Sequence, residues 1–419
     1  MRVLWITNIM FPEAMQLLSG SGELKASGGW LLGAARSLLS RDEIELCVAT
    51  VSKGVKKLTC LKGKDILYYL LPYGKGNQHI NLDYCVDWKK VHDEFHPDVV
   101  HIHGTEYSHG YAYIKSCGSD NVIVSIQGMT SAYYYYYYGV SIRDVFGSLT
   151  LRDMIKGTMI RGKRNFQKRG QYEIETIRSV HHIIGRTCWD KARTWAINPE
   201  VEYHFCNETL RPEFYDGSRW NYSSCNKYTI FLSQASYPIK GLHQVIRAMP
   251  YILTRYPDAC LRVAGNNITK CSGLKGYLRY TGYGRFINQL IKKYGLKEKV
   301  YFTGELDGNE MKNEYLKANV FVCPSSIENS PNSLGEAQIL GTPCVASYVG
   351  GVPDMMKGNE ANLYRFEEVE MLAEKICCIF DNKDSQVDMR KAAFERHNAD
   401  VNSNALLDIY DKIYASKIN

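Results

Sequence analysis

No stretch of the 419 residues approaches the roughly eighteen consecutive apolar positions a membrane-spanning helix needs. The opening MRVLWITN offers four apolar residues after Arg2 before turning polar, too short for the core of a secretory signal. Paired cysteines are missing as well. Of thirteen, only Cys377 and Cys378 lie close together, and none has the two-residue gap of a zinc knuckle or a thioredoxin-type site. They are expected to be reduced, mostly buried thiols of a cytosolic protein. Charge of one sign is scarce: 51 basic against 44 acidic residues leave +7, too little over this length to imply nucleic acid. With 45% hydrophobic and 23% charged residues the chain lacks the signature of disorder, and its length suits two domains.

What is present is alternation. Short apolar or β-branched runs predict strands at Val3–Thr7, Glu45–Thr50, Ile66–Leu71, Val99–His103 and Val122–Ile126, with helices at Gly29–Leu39 and Val86–Glu94 among them. The polar, aromatic stretch Asp216–Lys227 has no period and reads as a linker. Strands then resume at Thr229–Ser233, Leu261–Ala264, Val300–Thr303, Val320–Cys323 and Cys344–Ser347. Leu242, Val245, Ile246, Met249, Ile252 and Leu253 recur on one face of a helix after the first of these. This is an α/β pattern that starts twice. It predicts two facing, doubly wound domains with ligands held outside the carboxyl ends of the strands, in the cleft between them. The run Tyr133–Tyr138 reads as a crowded loop.

Three segments can carry chemistry. Ser27, Gly28 and Gly29 precede a helix whose opening amides could face a phosphate, although no dinucleotide fingerprint is present. In IENSPNSLGEAQIL, Glu328 falls in a strand-end loop and Glu336 in the first turn of the next helix, where amides suit an anion and carboxylates suit hydroxyls. Lys240, before Gly241 and the periodic helix, can reach a diphosphate from the same side. Each has a plainer reading: a glycine-lined helix start, two acids steadying a helix N-terminus, a solvated lysine.

With these segments in place the second half resembles glycosyltransferase family 4, retaining nucleotide-sugar transferases of the GT-B fold. The resemblance lies in FLSQASYPIKGLHQVIRAM, LRVAGNN, KVYFTGELDGNEM, ANVFVCPSSIENSPNSLGEAQILGTPCVAS and VGGVPDMM. It continues more loosely in RVLWITN, ASGGW, PDVVHIHG and VIVSIQG. It implies two Rossmann-like domains, 1–215 on the acceptor side and 228–400 binding the nucleotide sugar, joined by 216–227. A C-terminal helix at 401–419 would pack back toward the first. It implies that Glu336 accepts from the ribose and that Glu328 lies near the donor sugar. The amides of Asn332, Ser333 and Leu334 would cradle the diphosphate with Gly265 nearby, Lys240 would neutralise it, and Gly28 and Gly29 would approach closely. No metal and no cofactor beyond the nucleotide-diphosphate sugar is called for.

Two positions depart from the family. Gln234 and Ala235 stand where an Arg commonly precedes the Lys, and Gln127 stands where a His often ends the strand. An amide there can hydrogen-bond but cannot transfer a proton. Arg186 and Arg211 could replace the cation, or could instead form an inter-domain salt bridge. His103 and His109 point toward the acceptor side of the cleft by the strand-end rule.

Basic residues concentrate between Arg152 and Arg169, with Leu151, Met154, Ile155 and Met159 as a helical apolar stripe. The segment 151–169 reads as an interfacial helix on an anionic membrane, or as a surface helix packed on the first domain. The sequence therefore predicts a cytoplasmic enzyme, peripheral on the inner face of the cell membrane. It would transfer a hexose from a nucleotide-diphosphate sugar to a lipid-linked oligosaccharide in surface polysaccharide assembly. A non-catalytic sugar-nucleotide binder and an epimerase on the same fold are the alternatives.

Overall fold

In the computed structural model, residues 1–20, 29–41, 43–72, 82–271, 273, 278, 280–382 and 389–418 are described. The chain divides into two compact units: Met1–Tyr134, Asn165–Leu210 and Arg396–Asn419 form the first, Tyr135–Arg164 and Arg211–Glu395 the second. Residues 135–164 thus leave the first unit, and the stretch read as a linker is part of the second. Side chains and backbone pin it there. Trp220 donates from its indole to the Ala318 carbonyl at 2.7 Å, the Asn226 amide donates to Lys317, and Asp216 pairs with Lys312.

The first unit carries an eight-stranded sheet. Its strands are β1 (Arg2–Thr7), β2 (Glu45–Ser52), β3 (Thr59–Lys62), β4 (Ile66–Pro72), β5 (Val99–His103), β6 (Val122–Ser125), β7 (His182–Gly185) and β8 (Glu202–Phe205). They lie in the order β3, β4, β2, β1, β5, β6, β7, β8, parallel except for β3 against β4. Central β1 is buried along VLWIT because both faces of a parallel sheet are covered. Leu4, Ile6 and Ile102 pack on one face with Trp88 and Tyr113; Val3, Trp5 and Val48 pack on the other with Leu31 and Tyr410.

The helix Ala399–Ile418 belongs to this unit and buries Ile409, Tyr410 and Ile413. Trp5 donates its indole N–H to the Tyr410 oxygen at 3.0 Å. The tyrosine proton therefore goes to His101 Nδ1 at 2.5 Å, and His101 donates from Nε2 to Ser125 at 2.6 Å. Burial, reinforced by neighbouring His103, keeps His101 well below the usual imidazole range, so it stays neutral in this chain of donors.

The second unit holds β9 (Thr229–Leu232), β10 (Cys260–Val263), β11 (Val300–Phe302), β12 (Val320–Cys323), β13 (Cys344–Ser347) and β14 (Leu363–Tyr364). They are all parallel, in the order β11, β10, β9, β12, β13, β14. The helix Leu242–Arg255 presents the expected face, with Leu242, Val245, Ile246, Met249 and Ile252 fully buried.

The basic segment is not one helix. Thr150 and Asp153 cap Leu151–Lys156 reciprocally, Gly157 closes it in the left-handed region at φ 56°, and a new helix runs from Thr158 to Ser179. The tyrosine run likewise is a helical turn, Thr130–Tyr133, continued as a 3-10 turn over Tyr134–Tyr136. Six of the thirteen cysteines are buried, fewer than expected, and Cys60, Cys188 and Cys271 are exposed.

Replacing Tyr410 by Phe should strip the Trp5 N–H and His101 Nδ1 of their shared partner inside the core. The variant should lose about 1–3 kcal/mol of unfolding free energy in urea titration, with amide exchange fastest along 399–418.

Candidate active site

Parallel strands deliver their connecting loops to the same sheet end, and in the second unit those loops enclose a cavity of about 590 Å³. Its walls include Lys240, Glu328, Asn332, Ser333, Glu336, Arg211 and Gly265.

Lys240 closes a short 3-10 turn, Pro238–Lys240, ahead of the helix Leu242–Arg255. Its ammonium lies 2.5 Å from Glu328 Oε1, which also accepts from the Ser325 hydroxyl at 2.9 Å. The two loops are tied by the Ser326 amide donating to the Ile239 carbonyl. Gly241 lets them approach: at φ 73°, a Cβ there would lie 1.7 Å from the Pro324 carbonyl oxygen. Gly350, after β13 at φ 52°, would place one 1.9 Å from the Glu328 carbonyl oxygen and lets a third loop close on Glu328. Burial pushes the Lys240 ammonium down, but the adjacent Glu328 carboxylate more than reverses this and holds it above the usual range. Lys240 is thus a firm cation that already has a counter-ion.

Helix Asn332–Leu340 begins at Pro331 without a side-chain cap. The Leu334 amide is spent on the Pro331 carbonyl, which removes it from the expected cradle and leaves the turn of Asn332 and Ser333 to face the cavity. Glu336, in the next position but one, is gripped by the Arg211 fork at 2.7 and 2.9 Å. The buried Tyr315 hydroxyl lies 3.0 Å from the Ser333 carbonyl and 3.3 Å from Glu336. Burial pushes the Glu336 carboxyl above its usual range, while Arg211 and Tyr315 pull against it. Of the two readings the sequence left open for Arg211, a replacement cation or a salt bridge, the structure shows a salt bridge, formed within the second unit. Gly265, at φ 101°, donates to the Gly304 carbonyl. Among the described residues of the wall, Glu305 adds a third carboxylate, hydrogen-bonded to Asn266, that sequence reading passed over.

Gln127 belongs to the first unit, after β6. It donates to Glu208 and accepts from Arg186 at 3.4 Å. Arg186 is buried, pairs with Glu208 at 2.7 Å and donates to the Ile126 and Gln127 carbonyls. Its charge is compensated within its own unit, so it is neither a bare phosphate ligand nor half of an inter-domain bridge. Glu208, in NETLRPEFY, was missed by the sequence reading; an acid near the candidate cation Arg211 was its only signal. A small cavity of about 60 Å³ is lined here by His103, Gln127, Arg186 and Glu208.

The His103 ring lies tilted against His101 at 3.7 Å and beside Trp5 at 4.4 Å, and burial pushes it down to about 3. His109 is buried against Tyr107 and pushed down to about 4. Both are core imidazoles, neutral at physiological pH, instead of open acceptor-side groups. Glu106 was also missed. It accepts from the Gly128 amide and Asn8, and burial, with Glu173 nearby, pushes it up to about 7. Gly29 opens the helix Gly29–Leu39, and Gly28 lies outside the described residues.

Replacing Arg211 by Met should leave Glu336 buried without its fork and cost about 2–4 kcal/mol near neutrality. Losing Arg211 raises the Glu336 carboxyl further, so the folded variant holds a proton that the unfolded chain releases. Its deficit against the parent should therefore grow between about pH 5 and about pH 7.5, read by urea titration at both.

Residues 219–396 match the family model described as glycosyl transferases group 1. An uncharacterised glycosyltransferase of Methanocaldococcus jannaschii is 34% identical over 131 residues, 31% of this chain and 30% of the relative. The D-inositol 3-phosphate glycosyltransferase of Corynebacterium urealyticum is 25% identical over 178 residues, 41% of this chain and 40% of that protein. The chain thus spans less than half the length of these curated relatives. Among solved structures, sucrose-phosphate synthase from Thermosynechococcus elongatus aligns at TM-score 0.72 and 15% identity, covering 99% of both chains. Anabaena HepE in complex with UDP and glucose aligns at 0.64 and 13% identity, over 98% of this chain and 99% of that one. At such identities the likeness is one of fold. The chain has the GT-B fold, and over residues 219–396 it is similar to the glycosyl transferases group 1 family.

Proposed function

We propose that the protein is a retaining glycosyltransferase that moves a sugar from a nucleotide-diphosphate sugar to a hydroxyl of a lipid-linked oligosaccharide. The observation that carries this reading is the Lys240–Glu328 pair beside the uncapped start of helix Asn332–Leu340, in one cavity. A diphosphate seated there meets helix-start amides and draws Lys240 from Glu328, while Glu328 and Glu336 offer acceptors to sugar and ribose hydroxyls. The bond from the anomeric carbon to the diphosphate oxygen breaks as the acceptor oxygen bonds to that carbon. The acceptor proton passes to the departing diphosphate. Charge growing on that leaving group is what Lys240 stabilises. UDP in the HepE complex and the inositol-phosphate acceptor in the corynebacterial relative's name support a nucleotide donor and a hydroxyl acceptor.

The lipid-linked acceptor rests on a surface. Met154 and Ile155 are 72% and 67% exposed, Leu151 and Ile160 are exposed beside them, and Lys156, Arg161 and Arg164 are exposed around these apolar tips. A helix that packed this stripe into a core would hide it. No helix among the described residues is long and apolar enough to cross a membrane. The reading is therefore a peripheral one, with apolar tips in the interface and cations on anionic headgroups.

Lys240→Met should slow donor hydrolysis, followed with a panel of UDP- and GDP-sugars, by about 10²–10³-fold with little change in donor KM. Glu328→Gln should also slow it, yet tighten nucleoside-diphosphate binding several-fold by removing the competing anion. A parent that binds these sugars but never hydrolyses or transfers them is the non-catalytic binder. Binding to anionic vesicles should fall steeply with salt and be lost in a Met154→Asp, Ile155→Asp double variant; neutral vesicles should not bind.

A further inference from the structure

The last two strands of the first sheet place three metal-ligating side chains together that the proposed reaction does not use. In the parallel pairing of β7 with β8, His182 stands opposite Glu202 and Ile184 opposite His204. The two-residue period of a strand puts Glu202 and His204 on one face of β8, and His182 joins them from β7. His182 Nδ1 lies 3.1 Å from His204 Nε2 and 3.6 Å from Glu202 Oε2, and His204 Nε2 is 3.9 Å from Glu202 Oε1. One ligand atom from each residue falls within 4.8 Å of the others.

A zinc ion bound at about 2.0–2.1 Å to each ligand in a tetrahedron requires ligand atoms about 3.3–3.4 Å apart. The separations here, 3.1, 3.6 and 3.9 Å, lie within about 0.6 Å of that, the last two to different oxygens of Glu202, so rotation of the Glu202 carboxylate brings one oxygen into the set. Both histidine side chains are nearly buried, 13% and 11% exposed, while that of Glu202 is 42% exposed. The two imidazoles are thus held by the sheet, and the carboxylate lies at its surface. Two imidazoles and a carboxylate suit zinc and exclude magnesium and calcium, which favour all-oxygen sites. We propose that His182, Glu202 and His204 form a binding site for a zinc ion that clips edge strand β8 to β7.

One neighbour sets the affinity. Lys412, from the helix Ala399–Ile418, pairs with Glu202 Oε1 and so competes with the ion for the carboxylate, while Oε2 faces His182. The plain alternative is a His–His hydrogen bond with an adjacent surface salt bridge, which binds no metal.

The test uses the full chain, stripped with chelator and titrated with Zn²⁺ by calorimetry. The parent should bind one ion, with His182→Gln and His204→Gln each weakening it about 100-fold while keeping the parent's metal-free melting temperature. Lys412→Met should tighten binding several-fold, a gain that misfolding cannot mimic. Co²⁺ bound in place of zinc should show visible d–d bands without a thiolate charge-transfer band, separating this site from exposed Cys60, Cys188 and Cys271. No binding by the parent at about 100 μM Zn²⁺, unchanged affinity in both histidine variants, or a thiolate band would overturn the proposal.

Discussion

Two opposite charges, Lys240 and Glu328, meet at 2.5 Å at the sheet end of the second unit, and the site is built around keeping them there. An ammonium and a carboxylate taken this far from water would each cost several kcal/mol alone, so they persist only as a hydrogen-bonded pair. The loops that carry them must therefore touch. That contact explains Gly241 against Pro324, where any side chain would collide with backbone. It also explains Ser325, whose hydroxyl occupies the same carboxylate oxygen.

The same principle repeats at Arg211 and Glu336, and at Arg186 and Glu208. Each cation expected to meet a phosphate is already matched with an acid. The cavity of the second unit stores its positive charge in pairs, so an anionic ligand would have to displace a carboxylate to gain the Arg211 guanidinium or the Lys240 ammonium. Under the proposed reaction, affinity would be lower than bare cations provide, and a leaving group gaining charge would benefit more than the bound donor.

In the first unit, desolvation decides the chemistry of the histidines. His101 and His103 stand two residues apart on β5 and lie tilted against each other beneath Trp5, neutral and enclosed. Polar function passes instead to the network of Gln127, Arg186 and Glu208, and to Glu106, whose burial brings its carboxyl near neutrality in a loop beside Gly128. His182 and His204, by contrast, are drawn together only because β7 and β8 pair in a particular register.

Local physics made much of this chain legible from its sequence. Apolar runs and helical periodicity placed ten strands and the helix Leu242–Arg255, because the cost of exposing apolar surface is paid residue by residue along each segment. The short strands β3, β7, β8 and β14 escaped, since two to four residues are too few for a period or an apolar run to stand out. The chain also displayed the chemistry available at Lys240, Glu328, Arg211, Glu336 and Arg186. Only the tertiary structure decided which charges meet and that His103 and His109 are walled off from water. Those outcomes depend on pairwise Coulomb energy and desolvation between residues up to 125 positions apart, as in Arg211 and Glu336, and no local window contains both partners.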